Sequence, residues 1–328
     1  MKCNTFLIRS ALAAGLLVAV LPNAAALNIN LSAGAFTLTM PDTNRVVPMW
    51  GYSLDPNDPN QPYSSPGPLI VANEGDTLTI TLQNNLTVAT SIVIAGQNGD
   101  LTPEKFQDQL GRWRIRSFAP ETAAGGSRVY TWTNLKPGTY LYQSGTHPAV
   151  QVQMGLSGAL IVRPATAGQA YNDPRSAFDS EAVLLYSEVD PDLHDAVAAG
   201  TYGTPPYTST VHYKPGYFLI NGAPWSPAVA PITVSGANTR VLLRLLNAGL
   251  ETHTPTALNL RGDVIAEDAR VYAYSRPHST FLLPAGKTLD VIIQPPASGT
   301  YPLYDRRNFL TNGGAATPGG MLRFLAVP

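Results

Sequence analysis

The chain is poor in sulfur and in charge. Its single cysteine, Cys3, is close to the start of 328 residues, so no disulfide can form within the chain and no thiolate is available beyond the N-terminal segment. Asp, Glu, Lys and Arg together supply 13% of the residues and leave a formal net charge of -1, a charged share about half that of an ordinary soluble protein. With no basic run or basic face, nucleic acid is excluded as an expected partner. Long apolar runs are also missing. The longest, from Ala11 to Leu21, falls short of the roughly 20 residues a spanning helix needs, so no transmembrane anchor is expected once it is removed. There is no phosphate loop, and neither Ser144 nor Ser157 lies in the strand-turn-helix setting of a nucleophile elbow.

What the N-terminus does contain is Lys2 and Arg9 ahead of that apolar run, followed by the small residues Ala24-Ala25-Ala26. This pattern reads as an export signal over residues 1–26, cleaved near Ala26, and implies a secreted protein, periplasmic or extracellular. About 300 residues then remain, enough for two domains with cores of their own and no need of covalent staples.

Those residues read as strands almost throughout. Phe36 to Met40 and Thr77 to Leu82 alternate apolar and hydroxyl side chains with the period of two that puts one face in a core and one in water. Further strands are expected at Ser91 to Ala95, Arg128 to Thr133, Gly138 to Gln143 and, with glycine interruptions, Val152 to Val162. A polar stretch, 166–180, separates this unit (27–165) from a second (181–328), whose strands include Ala182 to Tyr186, Tyr217 to Ile220, Arg240 to Leu246, Thr280 to Leu283, Thr288 to Ile293 and Met321 to Val327. The turn pairs Pro137-Gly138, Pro215-Gly216, Asn221-Gly222 and Ala285-Gly286 punctuate them at hairpin spacing. Helix is confined to a turn or two after Pro191. The expected fold class is therefore all-β, two tandem Greek-key β-sandwiches.

Several motifs give this pattern a family. Ser65-Pro66-Gly67-Pro68-Leu69-Ile70-Val71, Glu74-Gly75-Asp76, Pro137-Gly138-Thr139-Tyr140-Leu141-Tyr142 and Gln153-Met154-Gly155-Leu156-Ser157-Gly158 stand in order in the first unit. Phe218-Leu219-Ile220-Asn221-Gly222, Arg244-Leu245-Leu246-Asn247-Ala248-Gly249 and Leu283-Pro284-Ala285-Gly286-Lys287-Thr288 follow in the second. Together they resemble two tandem cupredoxin domains of the multicopper oxidase superfamily. The resemblance implies copper chemistry, which needs a cysteine thiolate with two histidines at an electron-accepting site and His-X-His pairs at an oxygen-reducing cluster.

The chain departs from that ligand pattern. No His-X-His occurs in it. Where relatives carry His-Trp-His-Gly it has Val93-Ile94-Ala95-Gly96, and where they carry a histidine-rich segment it has Gln143-Ser144-Gly145-Thr146-His147-Pro148. In the second unit, Glu251 to Gly262 takes the place of a His-Pro-Phe-His-Leu-His-Gly type run and keeps only His253. His147 and His253 are thus the candidate metal residues, with Gln143 and Met154 as accessory ligands, the thioether suiting cuprous copper. The expected cofactor is none, with copper as the alternative.

Other polar residues suggest weaker sites. His194 with Asp190, Asp192 and Asp195 presents a small oxygen-rich set, although the same residues suit the start of a capped helix. His212 and His278 read as surface residues. Glu267-Asp268 and Asp305-Arg306-Arg307 read as a solvated rim, and His253 as a polar residue of a threonine-rich turn unless it binds metal. Tyr202, Tyr207, Tyr213, Tyr217 and Phe218 form either a binding platform for sugar or protein or the cover of a core. The expected function is an exported oxidase-like protein without complete copper sites, acting as a binding or structural component with a protein partner or by self-assembly. Its alternatives are a copper-binding module centred on His147 and a copper-dependent oxidoreductase that completes its site at a subunit interface.

Overall fold

A computed structural model describes residues 25–41, 43–99, 102–314 and 318–328. The expected signal segment lies, up to residue 24, outside them. No helix among the described residues is long and apolar enough to cross a membrane.

The first half folds as two facing four-stranded sheets. One has the strand order Val46–Ser53, Ala26–Thr39, Thr77–Asn84, Ser127–Trp132; the other has Ile70–Asn73, Ser157–Arg163, Gly138–Gln143, Val93–Ile94. Alternation in Thr77–Asn84 does what it predicts: Leu78, Ile80 and Leu82 point inward and meet Ile70, Tyr142 and Leu160 of the opposite sheet. The second half repeats the plan. A seven-stranded sheet centred on Ser180–Val189, Val241–Asn247 and Thr288–Ile293 faces a four-stranded one containing Gly299–Asp305 and Leu322–Val327. At the hairpin turn between these elements Asn221 and Gly222 both take positive φ, 53° and 77°, the conformation that asparagine and glycine adopt with least cost.

Every residue of Val241–Asn247 is buried, and its lack of apolar-polar alternation has a specific cause. Val241, Leu243 and Leu245 fill the second sandwich's own core. Leu242, Arg244 and Leu246 face the other way, onto the linker and the first sandwich. A strand covered on both faces has no solvent side on which to alternate. The two sandwiches therefore meet sheet to sheet. Leu141, Val152 and Ala159 from one pack against Leu185, Leu246 and Ala248 from the other.

A polar network lies inside this contact. Arg244, fully buried, donates to Glu181 Oε2 (2.8 Å) and to Thr139 Oγ1 (2.9 Å), and lies 3.7 Å from Asp290. Thr139 in turn donates to Asp290 Oδ1 at 2.6 Å, and Tyr171, from the stretch between the sandwiches, donates to the other carboxylate oxygen. Far from a loose tether, that stretch buries Ala170, Tyr171 and Ser176.

Some elements differ from the sequence reading. The strand expected at Ser91 to Ala95 shrinks to Val93–Ile94, because Thr90 and Ser91 turn their hydroxyls into a hydrogen-bonded cluster instead of a ladder. Residues 152–155 form the tight turn after the short helix Pro148–Gln151, and the strand begins only at Ser157. Thr280 to Leu283 is irregular, and only His253 bridges to Leu283. After Pro191 stands the expected helix, Pro191–Ala198, capped by Asp190, whose carboxylate accepts from the Asp192 and Leu193 amides.

Replacing Arg244 by alanine leaves the buried Asp290 carboxylate with only the Thr139 and Tyr171 hydroxyls and no cation, while Glu181 keeps Arg163. The expected loss in denaturant-unfolding stability is about 3–5 kcal/mol. A loss under about 1 kcal/mol would show that this network does not hold the sandwiches together.

Candidate functional site

The two first-unit segments where the resemblance places copper ligands meet at one spot in the first sandwich. Val93 and Gln143 are direct partners across two antiparallel strands. Gly145 lies against them so closely that a Cβ there would meet Val93 Cγ1 at 2.6 Å and Ser91 Oγ at 3.0 Å. No side chain larger than hydrogen fits at Gly145 without moving these neighbours.

Around that spot six neutral polar side chains close on one another. Thr90 Oγ1 and Ser144 Oγ both donate to Gln151 Oε1, at 2.8 and 2.7 Å, while the Gln151 amide donates to the Ala89 carbonyl. Thr146 Oγ1 reaches Ser91 and Ser117 at 3.0 and 3.1 Å, and Ser117 donates to the Ala119 carbonyl. All six are buried, and each finds a partner, as buried polar groups must. Neutral hydroxyl and amide oxygens are poor ligands for copper, which takes imidazole and sulfur. Among the described residues no group of three or more His, Cys, Asp or Glu side chains is arranged to hold a metal ion. These residues do not fit a copper centre.

His147 stands at the edge of this cluster. Its backbone is left-handed, φ 39° and ψ 58°, just ahead of the helix Pro148–Gln151, and its ring makes no capping bond. The residue is exposed and lines a cavity of about 510 Å3 with Trp50, Arg116, Val150, Val197 and Tyr202. Both sandwiches contribute to this cavity, since Val197 and Tyr202 lie on and just after the helix of the second. Met154 is completely buried and Gln143 is held in its strand, so neither joins His147 in the cavity lining.

His253 is elsewhere, and it is not a polar turn residue. It is fully buried, with Nδ1 2.7 Å from Asp305 Oδ2 and Nε2 2.5 Å from Glu188 Oε1. Both ring nitrogens are thereby engaged by carboxylates. Asp305, expected on a solvated rim, is buried too, its second oxygen accepting from Thr254 and from the Arg307 amide. Glu188 also accepts from the Leu250 amide, and it lies against Gly249, where a Cβ would meet Glu188 Oε1 at 2.0 Å. The Tyr213 hydroxyl, 3.0 Å from both Glu188 Oε2 and Gln153 Oε1, carries the chain of contacts to the first sandwich. Burial alone would push the imidazole pKa down, but the bonds to Asp305 and Glu188 outweigh it and hold His253 above its ordinary value. Asp305 is buried as well, and its bonds to His253 and to backbone hold it below the usual carboxylate range.

The remaining candidates divide simply. His194 is buried on the helix and bonds through Nδ1 to the Pro48 carbonyl at 2.7 Å, and burial depresses its pKa. Asp190 caps that helix and Asp195 pairs with Arg45, so the set serves helix docking. His212 and His278 are exposed. Glu267 and Asp268 share Lys287. Of the aromatic residues, Tyr207, Tyr217 and Phe218 are buried, and the Tyr207 and Tyr213 hydroxyls are spent on Asp190 and Glu188. These cover cores and join elements, and Tyr202 alone of the five lines the cavity beside His147.

Paired sandwiches with this strand order define a cupredoxin-like, two-domain architecture. Residues 62–167 match the family model for multicopper oxidase. Copper resistance protein A of Pseudomonas syringae pv. tomato is 33% identical over 38% of this chain and 18% of its own length. Putative laccase-17 of Oryza sativa subsp. japonica is 30% identical over 70% of the chain and 40% of its own. The chain thus spans less than half of either relative. Blue copper oxidase from Nitrosomonas europaea superposes over 92% of the chain and 86% of its own, with a TM-score of 0.73 at 20% identity. The matched domain, the laccase and copper resistance relatives and the shared fold together support the multicopper oxidase superfamily for this chain.

Ion pairing at His253 sets a pH dependence. Its raised folded pKa contributes stability that is complete below the unfolded value near 6.5 and is lost as pH rises through the folded value. The depressed Asp305 pKa contributes stability that is present above its unfolded value of 3.8 and lost as pH falls through the folded one. Urea denaturation across pH should show both limbs. His253→Asn should remove the alkaline one and cost about 3–5 kcal/mol at pH 6. An alkaline limb that persists in the variant would contradict the assignment.

Proposed function

We propose that this chain is an exported member of the superfamily that lacks complete oxidase copper sites and works as a non-catalytic binding or assembly component. One observation carries the reading: the place of the histidine-rich ligand segments is filled by Val93, Gln143, Gly145 and a closed network of neutral hydroxyls. That network satisfies its own hydrogen bonds with neutral oxygens, which are poor ligands for copper. The absence of any cysteine other than Cys3 supports the same conclusion for a thiolate site. Export rests on the signal pattern at residues 1–26, and partners are reached through protein surfaces, by self-association or by a second protein.

A second reading, a copper-binding module centred on His147, is favoured by the exposure of that imidazole and by its freedom from a capping bond. A copper centre completed at a subunit interface would also begin at this residue. Copper analysis of the purified protein after reconstitution with cuprous and cupric ions separates the readings. The proposal expects well under one copper per chain and no thiolate-to-copper absorption. Stoichiometric copper would contradict it, and copper lost in His147→Ala would establish the second reading.

A further inference from the structure

We infer that the cleft between the two sandwiches is a binding site for an uncharged aromatic molecule bearing one hydrogen-bonding group, received by His147. At about 510 Å3, the cleft falls in the range of roughly 300–1,000 Å3 typical of small-molecule sites. Trp50, Val88, Val150, Val197 and Tyr202 give it apolar walls suited to a flat ring system.

The polar groups in the walls decide the ligand's charge. Arg116 is held by Glu121 through two bonds, at 2.6 and 3.2 Å, so this cation is already neutralised by a neighbouring carboxylate. The Thr146 hydroxyl and both ends of the Gln151 amide are consumed in the buried network. What remains is the His147 imidazole, able to donate from one nitrogen and accept at the other, with the Tyr202 hydroxyl and the Trp50 N–H beside it in the walls. A charged ligand would lose its hydration without gaining a counter-ion. A neutral ring with one donor or acceptor would satisfy the walls and the imidazole together.

The backbone at His147 adds a separate argument. Its left-handed conformation costs a residue with a side chain on the order of 1 kcal/mol that glycine would not incur. The cost places an imidazole at the mouth of the cleft, and Pro148 restricts the chain beyond it. Because the second sandwich supplies Val197 and Tyr202, an occupant would also brace the two halves against each other. Nothing here depends on whether a copper ion binds.

The test is calorimetric titration with indole, a neutral ring with one N–H donor, on full-length protein kept in EDTA. Naphthalene-1-sulfonate serves as the charged comparator. Indole is expected to bind once per chain and more tightly than the sulfonate. His147→Gly, which suits the left-handed backbone and so keeps the fold, should weaken binding about fivefold, the worth of one neutral hydrogen bond. Val88→Trp, at a position 43% exposed and therefore tolerant of change, should abolish it. Melting curves equal to or above the parent's confirm that both variants fold. Absence of saturable binding, tighter binding of the sulfonate, or binding unchanged in either folded variant would overturn the inference. The EDTA keeps this outcome separate from copper stoichiometry.

Discussion

The two sandwiches are held in one arrangement by a buried guanidinium. Arg244 lies in the middle of a strand with both faces covered, and it joins Glu181 and Asp290 of its own domain to Thr139 of the other. A charge in that position is tolerable only with its carboxylates in place, since an unpaired buried ion costs several kcal/mol. The surrounding apolar contact, Leu141 and Ala159 on Leu185 and Leu246, has no direction of its own. The hydrogen bonds from Arg244 and Thr139 fix its register. With the sheets locked face to face, the helix Pro191–Ala198 comes to rest on the first sandwich through His194 and the Pro48 carbonyl, and the cleft beside His147 acquires its second wall.

Two further polar groups are closed off inside the sandwiches. Glu188 and Asp305 turn inward and close on His253 as a compact ion cluster. Hydroxyls take over the interior near Gly145, where they bond one another. In both places, around Gly145 and around His253, the buried polar side chains complete their hydrogen bonds within the chain.

Much of this was legible in the sequence, and the rest was not for identifiable reasons. Period-two alternation marked Thr77–Asn84 because one face of that strand is core and the other solvent. The Asn221-Gly222 turn declared itself because few residue pairs accept positive φ together. The departure from the family's ligand pattern at Val93 and Gln143 could be read once the glycine and tyrosine motifs around them set the frame. The pairing of His253 was not, because its partners lie 65 and 52 residues away and an aspartate next to two arginines reads as a surface charge. Glu188 had one signal: a carboxylate near the end of the strand Ser180–Val189, next to the apolar run Ala182 to Tyr186. Scattered serines and threonines gave no warning of a cluster, since it takes the fold to bring Thr90, Ser117 and Gln151 together.

The central claim is that hydrogen-bonded neutral side chains occupy the place of the copper ligands. Anomalous diffraction at the copper absorption edge, from crystals grown with excess copper, tests it most directly. The account predicts no anomalous peak within bonding distance of Gln143, Ser144 or Thr146. A well-ordered peak among them, with the hydroxyl network opened to receive it, would contradict it.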